Sequence, residues 1–175
     1  MPFTPYHLGP AIAIGLPFRR FLHTPTFLVA SVVLDIEPFL VLLMGLNYPL
    51  HGYFHTLIVA AVTGAVLGSL ASLLEGTLSP LYRLLLLEGD AKFKTNTFAI
   101  SGVLGTVIHV LLDAPLYPDI LPFYPLAVNP LYDPGVSLQI YSLSFWAGVF
   151  GIIYYVFMII SSLYRRKVGR TGRYQ

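Results

Sequence analysis

The chain has 175 residues, of which 56% are hydrophobic and 10% charged, with a mean hydropathy of +0.75 and a net charge of +2. A soluble domain carries about 25% charged residues, so this composition points to an integral membrane protein, and the small net charge offers nucleic acid no footing. Cysteine is absent, which excludes disulfides, thiolate metal sites and cysteine nucleophiles.

The opening "MPFTPYHLGP" has no basic region and is broken by proline, unlike a cleavable signal peptide. Residues 7–17, "HLGPAIAIGLP", predict a short partial or re-entrant helix, which needs protein cover for its backbone. Four longer apolar stretches, at about 26–46, 53–75, 98–117 and 142–164, can cross roughly 30 Å of hydrocarbon as helices. Residues 79–90 read as an interfacial helix on a connecting loop, and 118–141, rich in Pro, Tyr and Asp, as an ordered loop over one end. The expected fold is an all-α integral membrane bundle in one domain. It has four long transmembrane helices plus the short N-terminal one. The small pairs Gly64/Gly68 and Gly148/Gly151 read as close packing inside this bundle rather than as a dimer face.

All ten Lys and Arg fall at residues 19–20, 83–94 and 165–173, and the connections 47–52 and 118–141 contain none. By the positive-inside rule this places the C-terminus in the cytoplasm and the other end of the bundle outside the cell membrane.

Within "LDIEPFL", Asp35 and Glu37 carry the only charges between Thr26 and Leu46. A carboxylate near mid-bilayer costs at least a few kcal/mol and marks a functional candidate; Pro38 is expected to kink the helix there. "HGYFHT" sets His51 and His55 four apart, and "HVLLD" does the same for His109 and Asp113. Residues four apart share a helix face, where an imidazole and a carboxylate can grip one cation. At a rise of about 1.5 Å per residue, both pairs, His7, Asp35 and Glu37 fall in the outer half of the bundle. The metal candidates are therefore His7, Asp35, Glu37, His51, His55, His109 and Asp113. Buried carboxylates with no Lys or Arg partner need protons or metal ions for neutrality, and neighbouring imidazoles favour metal. His23 reads as an interfacial residue at the basic edge, and Glu75, Glu88 and Asp90 as a solvated rim with Arg83 and Lys92. Asp119 and Asp133 read as turn residues, and Tyr6, Tyr53, Tyr117, Tyr124 and Tyr132 as an interfacial belt.

Together, "TPYHLGP", "LDIEP", "HGYFHT" and "HVLLDAPLYPDILPFYPL" resemble the YdjM-type family of membrane-bound metal-dependent hydrolases. The resemblance runs to about residue 128. Its pattern is an early His, an Asp-x-Asp pair, a His-containing turn opening a helix, and a late His-x-x-x-Asp. This chain lacks the family's Arg in the turn and brings the two turn histidines one residue closer, which favours His55 over His51 as the ligand. It also has Glu rather than Asp at residue 37. The ligand order is more distantly similar to zinc-dependent phospholipase C and related nucleases. That similarity implies His7 on one metal, Asp35, His55 and His109 on another, and Asp113 bridging the two.

The resulting expectation is a hydrolase with one or two divalent ions, zinc preferred and Mn or Fe admissible. The substrate expected is a phosphoester of a lipid or lipid-linked molecule, with Asp35 or Glu37 as general base or water orienter. The rival is a metal-ion or proton transporter using the same residues. Against it stand the lack of an inverted repeat and the absence of polar residues from the inner halves of the helices.

Overall fold

The computed structural model describes residues 5–87 and 93–171. Six α-helices form it: α1 (Pro5–Gly15), α2 (Thr24–Val33), α3 (Ile36–Met44), α4 (Leu57–Leu84), α5 (Thr95–Asp113) and α6 (Ser137–Thr171). Single 3-10 turns lie at Tyr53–His55 and Pro134–Val136, and no strand occurs among the described residues. Among the described residues four segments are long and apolar enough to cross a membrane: Thr24–Met44, Leu57–Leu84, Thr95–Asp113 and Pro134–Arg165. The expected bundle of four long helices and one short N-terminal helix is what the chain forms.

Small residues set the helix packing. A Cβ on Gly64 or Gly68 would collide with the backbone of Gly102 and of Phe98 on α5. Gly105 meets Phe27 and Ala30 on α2 in the same way. On the other side of the bundle, Gly9 of α1 lies against the Ser144 carbonyl, and Gly151 against Ile12. Both glycine pairs singled out in the sequence thus face neighbours inside the bundle. Removing the side chain lets helix axes approach until backbones touch, the main source of van der Waals contact where lipid is as apolar as leucine. The helix α1, too short to span, is buried on one face through His7, Gly9, Pro10 and Ala11 against α6 and α2.

The first span is broken. Pro38 has no N–H to give Leu34, and the Asp35 and Glu37 amides reach back three residues, to Val32 (3.1 Å) and Leu34 (3.0 Å). Beyond this break α3 makes no substantial packing contact with another helix and ends at Gly45, whose φ of 60° needs glycine.

The helix α4 differs from expectation. It runs unbroken through Pro80 to Leu84, so residues 79–84 extend the span instead of starting a separate interfacial helix. The carbonyl that Pro80 leaves unpaired belongs to Gly76, where a Cβ would meet nothing within 4 Å, so the strain has open space to relax into. The remainder of that connection, including Glu88, Asp90 and Lys92, lies outside the described residues.

At the far end, the loop after α5 is tied down over the bundle. Pro122 O accepts from Leu57 N at 2.9 Å, and Asn129 Nδ2 donates to Ala114 O at 2.7 Å and to Tyr117 O at 2.9 Å. Asp133 caps its 3-10 turn by accepting from Gly135 N, the turn role expected of it.

Candidate metal centre

At that end the N-terminus of α4, the C-terminus of α5, the α2–α3 break and the start of α1 meet. His55 is placed by the 3-10 turn, whose Thr56 then caps α4 by accepting from Val59 N at 3.3 Å. His109 and Asp113 come from successive turns of the buried face of α5. The break at Leu34–Asp35 brings Asp35 and Glu37 in from the first span.

Three of the four histidines are held by the same device. His109 Nδ1 lies 2.8 Å from the Ser31 carbonyl, His55 Nδ1 2.9 Å from Glu37 Oε2, and His51 Nδ1 3.1 Å from Asp119 Oδ2. A carbonyl or an ionised carboxylate can only accept, so each Nδ1 carries the proton and each Nε2 keeps its lone pair, a tautomer assigned from partners. His55 Nε2 and His109 Nε2 then face each other at 3.3 Å. Two lone pairs at that distance repel unless a cation lies with them. This is the pattern of metal-binding histidines, whose outer nitrogen donates to a carboxylate or a backbone carbonyl.

Asp113, 1% exposed, joins the histidines. Its Oδ2 is 3.5 Å from His109 Nε2, and its Oδ1 is 3.3 Å from His7 Nε2. The His7 and His109 rings stack at 3.9 Å. Neither His7 nitrogen nor Asp113 Oδ1 has a partner in hydrogen-bond geometry, although all three atoms are buried. Buried polar atoms are nearly always satisfied. A cation held among these atoms would meet both needs, as would protons, one shared between His55 and His109 and one on His7 facing Asp113 Oδ1 at 3.3 Å. Two groups of ligand atoms, each within 4.8 Å of one another, meet the requirement: His7, Asp35, His109 and Asp113 in one, and His51, His55 and Asp113 in the other. Asp113 belongs to both. The buried His/Asp cluster could therefore hold metal.

Of the seven residues proposed from sequence, six fall in these groups. Glu37 falls in neither, but binds the opposite nitrogen of the His55 ring. It also accepts from Gly52 N at 3.0 Å and from Tyr48 Oη at 3.3 Å, so it pins the whole 52–55 turn. Asp35 Oδ1 stands 3.8 Å from His109 Nε2 with its side chain 20% exposed, the most accessible member of its group.

Asp119, assigned to a turn, holds both the backbone and the ring of His51. Its partner is 68 residues away on another connection, so no local spacing reveals it. The one signal was negative: both connections lack Lys and Arg, leaving Asp119 without a cation to pair with. Tyr117, placed in an interfacial belt, packs its ring on His51 at 4.3 Å. Burial and the nearby Asp113 raise its phenol above the ordinary value and keep it protonated. Burial, then the neighbouring His55, lower the His51 imidazole, with Asp119 opposing them.

His23 and Glu75 correct a second expectation. His23 is fully buried, caps α2 through Thr26 N, and sets Nε2 3.2 Å from Glu75 Oε2 on α4. It lies against Tyr82, Phe93 and Phe98. The bundle end away from the cluster thus has a polar pair of its own, which the run of apolar residues around each partner concealed. Comparison with family models, curated proteins and solved structures gives no match to this chain.

Proposed function

We propose that this chain is a membrane-embedded metal-dependent hydrolase, with a two-metal site that cleaves a phosphoester of a lipid or lipid-linked molecule. The observation that carries the reading is Asp113, buried and shared by two ligand groups whose histidines already turn their Nε2 atoms toward one another. Asp113 would bridge two divalent ions, with His7, Asp35 and His109 completing one and His51 and His55 the other. Zinc suits this nitrogen-rich set, and Mn or Fe suits its carboxylates. Two divalent ions would balance the four carboxylates Asp35, Glu37, Asp113 and Asp119.

Such ions supply a water acidified to near-neutral pKa and a clamp for an in-line displacement. The residues of the chain do the rest. Asp35, the accessible carboxylate, is placed to take the proton of the attacking water. Glu37 and Asp119 fix the tautomers of His55 and His51. The Tyr117 ring, packed on His51 at 4.3 Å, holds that imidazole in place. The basic residues Arg19, Arg20, Arg83 and Lys94 belong to the opposite ends of the same helices, which supports a site facing the extracytoplasmic side with the C-terminus in the cytoplasm.

One observation favours the transporter reading: the His23–Glu75 pair gives the other end of the bundle its own titratable centre. Between the two centres α2 buries the apolar side chains of Phe27 and Ala30, and the buried Thr106 hydroxyl of α5 donates to the Ala60 carbonyl at 2.8 Å, which supports a closed site. Hydrolysis of phosphodiester and phosphomonoester lipids by the metal-loaded protein, abolished in Asp113→Ala, tests the proposal. Metal flux into liposomes without hydrolysis would establish the rival.

A further inference from the structure

Because α3 leaves the bundle at the Pro38 break, it opens a groove of about 530 Å³ between itself and α4, a volume in the range of small-molecule sites. Its walls are Val33, Leu40, Val41, Leu46 and Phe54, and the polar side chains on it are Glu37, Tyr48 and Thr63. Ile36, Leu40 and Leu46 are exposed along it, at 54%, 41% and 46%, so it opens sideways from a helix that is itself part of a membrane-length span. One end reaches the candidate metal centre directly: Glu37, which lines the groove, is bonded to His55.

We propose that this groove seats one acyl chain of a bilayer lipid whose head group lies at the His/Asp cluster. Three observations select that occupant. The wall carries no basic side chain and only one acidic one, whose carboxylate is committed to the 52–55 turn, so the occupant in the groove is uncharged. The lateral opening admits a chain from the surrounding bilayer without passage through water. The junction at Glu37 puts the start of the chain next to the ligand atoms, as a lipid hydrolysed at its head group requires. The position of the head group rests on the hydrolase reading; the seat of the chain does not.

The test uses the full-length protein in phosphatidylcholine vesicles containing a phosphatidylcholine with a diazirine on one acyl chain. A parallel sample carries a diazirine-bearing polyprenyl phosphate. Mass spectrometry should find acyl labelling concentrated on Val33, Leu40, Val41 and Thr63 over the lipid-exposed Ile152, Ile153 and Phe157 of α6. Leu40→Trp, at an exposed position that tolerates bulk, should cut groove labelling, and Val41→Trp provides a second filling variant. Displacing contacts with two methylenes should raise KM for a long-chain substrate roughly tenfold, and KM for a short-chain analogue by a smaller factor. Uniform labelling of α3, α4 and α6 would overturn the groove proposal whatever the activity. Preferential labelling by the polyprenyl probe would overturn the acyl assignment. Groove labelling by a protein that hydrolyses nothing would support the chain's seat while removing the hydrolase reading.

Discussion

Exchanging Glu37 for glutamine keeps the side chain's size and removes its charge, which isolates what the carboxylate does for His55. In the native site Glu37 accepts from His55 Nδ1 at 2.9 Å, from Gly52 N at 3.0 Å and from Tyr48 Oη at 3.3 Å. A glutamine has one accepting oxygen. Gly52 N and His55 Nδ1 share Oε2, so a glutamine oxygen placed there still accepts from the ring, but as a neutral acceptor instead of an ionised one, and the new NH₂ faces Tyr48 Oη and Phe54 N. A charge-assisted hydrogen bond is roughly twice as strong as a neutral one, so the Nδ1 proton is held less firmly and Nε2, which faces His109 at 3.3 Å, becomes a poorer ligand. Loss of an orienting carboxylate lowers metal affinity by about 10- to 100-fold, or roughly 1.4 to 2.8 kcal/mol. Competition against a chromophoric chelator in detergent measures this, with circular dichroism confirming unchanged helix content. His55→Ala should lose more. Glu37→Gln binding metal as tightly as wild type would refute the orienting role; a loss equal to that of Asp113→Ala would make Glu37 a ligand itself.

Asp119→Asn should weaken metal binding in the same assay by a smaller factor, since its side chain is 35% exposed and solvent can replace part of its role. Gly102→Val should lower the thermal midpoint, because its side chain meets the Gly64 backbone and overpacking costs about 1–3 kcal/mol. Gly76→Ala, where a Cβ meets nothing, should leave the midpoint unchanged or raise it, since alanine favours helix by up to ~1 kcal/mol. With metal chelated, His51 bears on acid stability. Its folded-state pKa is below the unfolded value of 6.5, so the unfolded chain binds the extra proton, and stability falls as pH drops below about 6.5. Thermal midpoints taken from pH 7.5 to 5.5 should decline more shallowly in His51→Gln than in wild type; identical slopes would refute the assignment.

The helices were legible because hydrophobic runs of span length have few alternatives, and because Pro38 announces its own kink. The ligand set was legible for a different reason. His109/Asp113 sit at helical spacing on α5, and Asp35 in an apolar run demands a partner of the same depth. His51 and His55, expected on one helix face, instead stand before α4 in a bend and a 3-10 turn, and meet there all the same. What the sequence hid depends on contacts between distant connections. Asp119 reaches His51 across 68 residues, and Ser31 acts through its carbonyl, which any residue would offer. Glu75 was assigned to the rim by its closeness to the basic end of α4, but the aromatic enclosure of His23 draws it inward. Residues 79–90 read as a separate helix, whereas Gly76, one turn before Pro80, gave the span room to continue. For Asp119 and Glu75 a tertiary contact outweighed the local signal.

The most direct test of the central claim is the metal content of the purified full-length protein beside that of Asp113→Asn, by inductively coupled plasma mass spectrometry after dialysis against a weak chelator. The bridging role of Asp113 predicts stoichiometric divalent metal, up to two ions per chain, in wild type and a concerted loss from both ligand groups in the variant. Wild type without metal, or a variant that retains the wild-type content, would contradict it.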